Sequence, residues 1–213
     1  MFRLEANRMS KLKFFFRESW LLLAASVAFG ALLALTEAAW RPRIEQNEID
    51  KFSNLARLLL PDAAQFESFS EPIQLSKDSE EPVNIDVRKA INASGKTVGW
   101  VFVVEGSGFS DVIRLVVAVD AQFKSITGFR VLLSSETPGF GDKITIADGY
   151  YQSQYKGAPA DLFSLRKVGD SKIIDDEIIA ITGATVTSQA VVDIMNAHVI
   201  PIKEQLSKKG LLP

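Results

Sequence analysis

The residues best suited to chemistry lie in one short segment that mixes hydroxyl groups with a glycine. Residues 182–188 read TGATVTS and follow the apolar run 178–181, which predicts a short buried strand. Apolar residues then recur at helical spacing, so a helix should begin near Thr187 or Ser188. Thr185 or Thr187 could cap that helix, and its first amides also favour an anion. The segment therefore supports either a threonine N-cap or a phosphate site without basic side chains.

A second candidate loop, residues 135–144, reads SETPGFGDKI. Its Pro-Gly pair suits a type II turn, and Gly141 permits a positive φ angle or a close approach of the backbone. Phe140 adds an apolar ring to the turn. The polar residues of the loop are Glu136, Thr137 and Asp142. This composition suits the rim of a site for a flat polar ligand.

A third glycine-containing loop, EGSGFSD at residues 105–111, follows a predicted strand. It does not continue into a dinucleotide-binding fingerprint, because Asp111 stands at the third glycine position, and it has no Walker lysine. We interpret it as a hairpin turn.

The elements that must position these loops are mainly strands. Runs rich in β-branched residues predict strands at Val98–Glu105, Val112–Val119 and Ile126–Leu133, and their short connections favour antiparallel pairing. The chain lacks regular βαβ alternation, which argues against a Rossmann fold. Pro201 should kink or break the final helix. The predicted class is α+β, with a mainly antiparallel sheet flanked by helices.

The N-terminal region breaks the pattern of a soluble protein. Trp20 to Trp40 is almost entirely apolar and, as a helix, spans roughly 30 Å, about the thickness of a bilayer core. Indole rings at both ends favour the membrane interface. We predict a retained anchor rather than a cleaved signal peptide, then a helix near 44–60. The segment 67–93 is polar and offers short strands at best. Five basic residues precede the span and four lie within a comparable distance after it, so charge alone leaves the orientation open.

Composition excludes several function classes. A net charge of −2 gives no basic footprint for nucleic acid. With no cysteine and one histidine, the chain cannot build a zinc finger or an iron–sulfur site, and Ser-His-Asp hydrolysis is disfavoured. We interpret His198 as a packed or partly exposed helix residue.

Two motifs carry a family resemblance. Residues 182–187 match the pattern [ST]-G-A-[ST]-x-T of FMN-binding domains, and residues 136–141 look like the E-T-P-G-[LF]-G loop of the same domains. With their order, separation and single N-terminal span, they resemble the G subunits of Rnf ion-translocating electron transport complexes. The C subunits of sodium-translocating NADH:quinone reductases are a related class. A single matching hexapeptide would be weak evidence for the family, whereas two in the correct order behind an anchor are strong evidence.

The resemblance implies a covalently held cofactor. In that family FMN is joined through its phosphate to the last threonine of the motif, which here is Thr187. The flavin ring would lie towards residues 137–141, with Thr137 bonding it and Phe140 packing on it. The implied cofactor-binding residues are Thr187, Thr182, Gly183, Ala184, Thr185, Glu136, Thr137, Gly139, Phe140 and Gly141. Relatives usually carry aspartate three residues before the first motif threonine, where this chain has Ile179.

The resemblance also implies partners and topology. The chain would be an electron-transfer subunit, not catalytic alone, in a complex that couples electron transfer between NADH and ferredoxin to ion translocation. Its partners would be Rnf subunits with flavin or iron–sulfur centres in the membrane, and a flavin transferase that uses FAD during maturation. The expected layout is a cytoplasmic N-terminus at 1–19, an inner-membrane span at 20–40, a juxtamembrane helix and linker at 41–95, and a periplasmic FMN domain at 96–213.

Two other functions remain open. A stand-alone, membrane-anchored FMN-dependent reductase facing the periplasm would need a substrate pocket with an acid or cation near the ring. A structural or regulatory module that has lost its flavin would be colourless even when made alongside a transferase.

Overall fold

The computed structural model describes residues 2–73 and 83–212, with side chains over 18–68 and 85–212. The chain divides into two compact units, residues 1–50 and 51–213. The first unit is helical, and the second contains the sheet and the predicted site loops.

Helix α1 runs without interruption from Phe2 to Leu59. The sequence predicted a span at 20–40 and a separate helix near 44–60, but the structure joins them through Pro42. Proline removes a single helical hydrogen bond and its φ angle fits a helix, so the bonds of flanking residues carry the helix across it. Within the described residues, α1 is the one helix long and apolar enough to cross a bilayer, by length and composition.

The sheet is a five-stranded antiparallel meander in the order β1-β2-β3-β4-β5. The three strands predicted from the β-branched runs are confirmed as β3, β4 and β5. The strands are β1 Gln65–Ile73, β2 Val83–Ile91, β3 Thr97–Ser107, β4 Val112–Asp120 and β5 Ile126–Leu133.

The expectation of short strands at best in 67–93 is wrong, because β1 and β2 are nine residues each and belong to the sheet. Ile85 and Val87 of β2 are buried while the charged residues between and after them are only partly so, which is the alternation of a half-buried strand. Pro72 lies in β1, an edge strand, where a missing amide donor is tolerated.

Both faces of the sheet are covered. On one face Trp100 and Phe102 join the main core, which includes the C-terminal helix. On the other face Val101 packs with the last turns of α1, at Phe52 and Ala56. Burial on both faces explains why β3 and β4 read as nearly continuous apolar runs instead of alternating ones.

Short elements link the sheet to the C-terminal helix. They are a 3₁₀ turn at Gly141–Thr145, helix α2 at Tyr150–Ser153, and the parallel pair β6 Ser164–Arg166 and β7 Glu177–Ile179. Helix α3 then runs from Thr185 to Lys208 and continues through Pro201, so the predicted break is absent.

His198 lies on the core side of α3, as the sequence indicated. Its side chain is buried, and Nδ1 is 2.7 Å from the Ile194 carbonyl oxygen one turn earlier. Burial lowers the pKa of His198, although the bond to Ile194 and the Glu105 carboxylate oppose this shift. The ring is therefore a neutral core group.

Candidate functional site

The three loops selected from the sequence meet around the buried carboxylate of Glu136, which is 5% exposed. Its Oε1 accepts hydrogen bonds from the amides of Phe109, at 2.8 Å, and Ser110, at 3.0 Å. Its Oε2 accepts a hydrogen bond from the Thr187 hydroxyl at 2.5 Å. One side chain therefore joins the 105–111 loop, the 135–144 loop and the start of α3.

Two glycines make room for this carboxylate. A Cβ added at Gly108 would lie 2.4 Å from Glu136 Oε1. A Cβ added at Gly141 would lie 2.7 Å from Thr187 Oγ1 and 2.8 Å from Glu136 Oε2. Because a real Cβ does not approach another atom so closely, only glycine lets the backbone at both positions pass this near the carboxylate.

The 105–111 loop forms the predicted hairpin turn between β3 and β4. The Gly108 amide donates to the Asp111 carbonyl oxygen at 2.8 Å. The amides of the next two residues, Phe109 and Ser110, also donate to Glu136, which the local sequence pattern did not predict.

The 135–144 loop turns as its Pro-Gly pair predicted. Gly139 has a φ angle of 78°, and the Phe140 amide donates to the Thr137 carbonyl oxygen at 3.2 Å. Phe140 is 53% exposed. Its ring lies against Gly183, where an added Cβ would be 3.0 Å from a ring carbon. The turn therefore presents an aromatic ring beside the TGATVTS segment.

The predicted threonine cap on α3 is wrong. Ala184 is the N-cap residue and no side chain caps the helix. The helix begins at Thr185, which places Thr187 inside the first turn, where its hydroxyl bonds Glu136 instead. The first amides of the helix have no intrahelical acceptor, so they are oriented to favour an anion.

Buried hydrogen bonds from Tyr151 of α2 and from Gln154, which directly follows α2, fix the backbone before and within this helix start. Gln154 exchanges hydrogen bonds with the amide and carbonyl of Ile179, at 2.7 and 3.1 Å. The Tyr151 hydroxyl donates to the Ser188 carbonyl oxygen at 2.8 Å, and burial raises the pKa of Tyr151. The Ser188 hydroxyl in turn accepts from the Ile181 amide and donates to the Ala184 carbonyl oxygen.

An open cavity of about 480 Å³ lies over the helix start. Seven of the ten predicted residues border it, namely Thr137, Phe140, Gly141, Gly183, Ala184, Thr185 and Thr187. The other three do not line it. Glu136 accepts a hydrogen bond from Thr187, Gly139 has the positive φ angle of the turn, and Thr182 is exposed.

Two lining residues were missed by sequence reasoning, Phe109 and Val186. Phe109 is 64% exposed and directly follows a site glycine, which was the available signal. Among the described residues, those that line the cavity carry no charged side chain. The cavity therefore combines apolar rings, a buried hydroxyl and helix amides, which fits a flat aromatic ligand that carries a phosphate.

Comparison with known proteins identifies the family. A model of the FMN-binding domain matches residues 108–199. The G subunit of the ion-translocating oxidoreductase complex of Methanosarcina acetivorans is 33% identical over 186 residues, covering 86% of this chain and 92% of the relative. The G subunit of the Na(+)-translocating ferredoxin:NAD(+) oxidoreductase complex of Acetobacterium woodii is 30% identical over 201 residues, covering 92% and 95%. The chain belongs to the family of G subunits of ion-translocating oxidoreductase complexes.

Solved structures support the same fold. The C subunit of the Na(+)-translocating NADH-quinone reductase from Parabacteroides distasonis matches with a TM-score of 0.52 at 15% identity, over 77% of this chain and 94% of that one. The resemblance drawn from the two motifs is confirmed at the level of family and fold. In this member of the G-subunit family, the matched FMN-binding region begins at Gly108 and contains the residues of all three loops that bond at Glu136.

Proposed function

We propose that this chain is the membrane-anchored electron-transfer subunit of an Rnf-type complex and carries FMN in phosphoester linkage to Thr187. Membership of the G-subunit family supports a role in electron transport coupled to ion translocation. The FMN-binding domain supports the cofactor. The linkage is supported by one observation: Thr187 borders the cavity and lies within the first turn of α3.

The cavity fits the two ends of FMN. The phosphate would join Thr187 and face the first amides of α3, which stabilise negative charge without a basic side chain. The ring would lie between Thr137 and the exposed aromatic rings of Phe109 and Phe140. Bound FMN supplies the chemistry by accepting and passing electrons, while the chain holds and positions it.

The function depends on partner subunits. The relatives are themselves subunits of larger complexes, so the donors and acceptors would be redox centres of those partners, with flavin or iron–sulfur cofactors. The complex would couple electron transfer between NADH and ferredoxin to ion movement. A stand-alone reductase needs an acid or cation near the ring; no described lining residue carries one, and Lys143 Nζ lies 6.0 Å from the centre of the Phe140 ring.

Helix α1 would anchor the chain in the inner membrane, with the N-terminus in the cytoplasm and the FMN domain in the periplasm, where a flavin transferase would act. The chain has no cysteine, so a single introduced cysteine reports its location without background. Val168→Cys places a thiol at a residue that is 88% exposed. We expect a membrane-impermeant maleimide to label it in cells with a permeabilised outer membrane; labelling only after inner-membrane lysis would reverse the orientation.

The attachment is tested with full-length protein made alongside a flavin transferase. Wild type should gain the mass of one FMN less water on the peptide containing Thr187, and the denatured band should fluoresce. Thr187→Ala should abolish both, because no hydroxyl remains to form the ester. Thr127→Ala, the same change on β5, should keep both. A wild-type protein without the added mass would reject the linkage.

A further inference from the structure

The hydrogen bond between Thr187 and Glu136 carries a consequence for how the flavin is attached. A threonine hydroxyl is a weak nucleophile unless an adjacent base takes its proton. The hydroxyl donates its one proton to Glu136 Oε2 at 2.5 Å, which is within the reach of a general base. Both side chains are buried, at 3% and 5% exposed, so bulk water does not compete for this proton.

The carboxylate is held in place before any cofactor arrives. Two backbone amides fix Oε1, so Oε2 stays directed at the hydroxyl. Gly108 and Gly141 place no side chain against the pair, since an added Cβ at Gly108 would collide with Glu136 and one at Gly141 with both residues. The chain's histidine is no rival base, since its ring is buried and bonded to the Ile194 carbonyl. Such preorganisation is what a catalytic group needs.

We propose that Glu136 is the catalytic base for flavin attachment to its own chain, an inference that rests on the proposed Thr187 linkage. A bond forms between Thr187 Oγ1 and the FMN phosphorus of FAD. The bond from that phosphorus to the bridging oxygen of the pyrophosphate breaks, and AMP leaves with the electron pair. The hydroxyl proton passes to Glu136 Oε2. The flavin transferase presents FAD, and this chain supplies both the nucleophile and the base.

The test uses full-length protein purified in detergent from cells without a transferase, then mixed with a purified transferase, a divalent cation and FAD. Attachment is followed by intact mass. Glu136→Gln keeps the shape, but its single oxygen must serve the two amides, so its Nε2 faces the Thr187 hydroxyl and cannot take the proton. We expect its rate to fall about 10² to 10⁴-fold, the usual contribution of a general base. Glu105→Gln, which removes an exposed carboxylate paired with Arg114, should attach at the wild-type rate.

The pH profile separates a base from a purely structural role. Without the internal base, the rate of Glu136→Gln should rise with pH, because hydroxide replaces the lost group. A deficit that is the same at every pH would assign Glu136 a structural role and overturn the proposal. A Gln variant that attaches at the wild-type rate would also overturn it, while leaving the Thr187 linkage intact. Wild type that never gains mass would instead reject the linkage itself.

A second variant separates the lost base from lost folding. Glu136→Asp retains a carboxylate that can take the Thr187 proton, so it should attach flavin faster than Glu136→Gln near neutral pH. An Asp variant as slow as the Gln variant would overturn the proposal.

Discussion

Two carboxylates in this protein each accept several hydrogen bonds, but they gather them from different distances along the chain. Asp120, at the end of β4, accepts from the amides of Gln122, Lys124 and Ser125 and from the Ser125 hydroxyl. All four donors lie within five residues. Glu136 accepts from groups that are 26, 27 and 51 residues away. The first arrangement is local and the second is tertiary.

The difference indicates what each carboxylate does. A local cluster can form in the turn itself, so Asp120 stabilises the connection from β4 to β5 and contributes to folding. The hydrogen bonds to Glu136 form only when three separate loops are in place, so they are present only in the assembled site and help to hold it together. We therefore expect changes at Asp120 to alter stability, and changes around Glu136 to alter flavin attachment.

Among the changes that test this comparison of two carboxylates, the largest effect is expected at Gly141. In Gly141→Ala the new methyl group collides with both Thr187 Oγ1 and Glu136 Oε2, so one of them must move. Flavin attachment measured by intact mass should fall at least about tenfold, and overpacking should cost about 1–3 kcal/mol of stability.

The matched control for that change is Gly95→Ala, in the turn between β2 and β3. Gly95 has a φ angle of 77° and nothing within 4 Å of an added Cβ. Alanine there should cost about 1 kcal/mol of stability through backbone strain, with normal flavin attachment. Equal loss of attachment in both variants would show that general destabilisation, and not the collision at the site, is responsible.

A change at Asp120, whose donors are local, should give a smaller effect, and that effect should fall on stability and not on flavin attachment. Burial would raise the pKa of Asp120, but the Ser125 hydroxyl and the three amides outweigh it and lower the pKa. Asp120→Asn should therefore lose about 1–2 kcal/mol of stability near neutral pH and still accept flavin. Urea-induced unfolding of the full-length protein in detergent measures this loss.

The pH dependence of the Asp120 effect has a defined sign. A carboxyl group with a lowered pKa in the folded state stabilises the protein above its unfolded pKa, and this contribution is lost as pH falls through the folded pKa. The stability gap between wild type and Asp120→Asn should therefore shrink as pH falls below about 4. A gap that is constant with pH would mean that the ionised form is not what the turn requires.

His198 gives the smallest expected effect and extends the comparison to another local bond. Burial lowers its pKa, so the unfolded chain binds a proton more tightly than the folded chain does. The free energy of unfolding should fall as pH decreases below about 6.5, by under about 1 kcal/mol. His198→Gln should have a flatter dependence between pH 7 and 5 in the same urea experiment, and an unchanged slope would contradict the assignment.

Much of the fold could be predicted because its signals are periodic. β3, β4, β5 and α3 appear as apolar runs or helical repeats that burial in two cores requires. β1 and β2 were not predicted as full strands, because their apolar alternation is short and two prolines interrupt the region. Edge position in the sheet makes Pro72 acceptable, and edge position is a property of the assembled sheet.

The sequence by itself determined the candidate anchor, three of the five strands of the sheet with their antiparallel pairing, the family motifs and the segments that contain the site. It did so because hydrophobic period, turn residues and short motifs are local properties. The tertiary structure decided that Glu136 bonds Thr187, that Phe109 borders the cavity and that no threonine caps α3. Those contacts join groups far apart in the chain, and only the packed sheet and helix bring them within hydrogen-bonding distance.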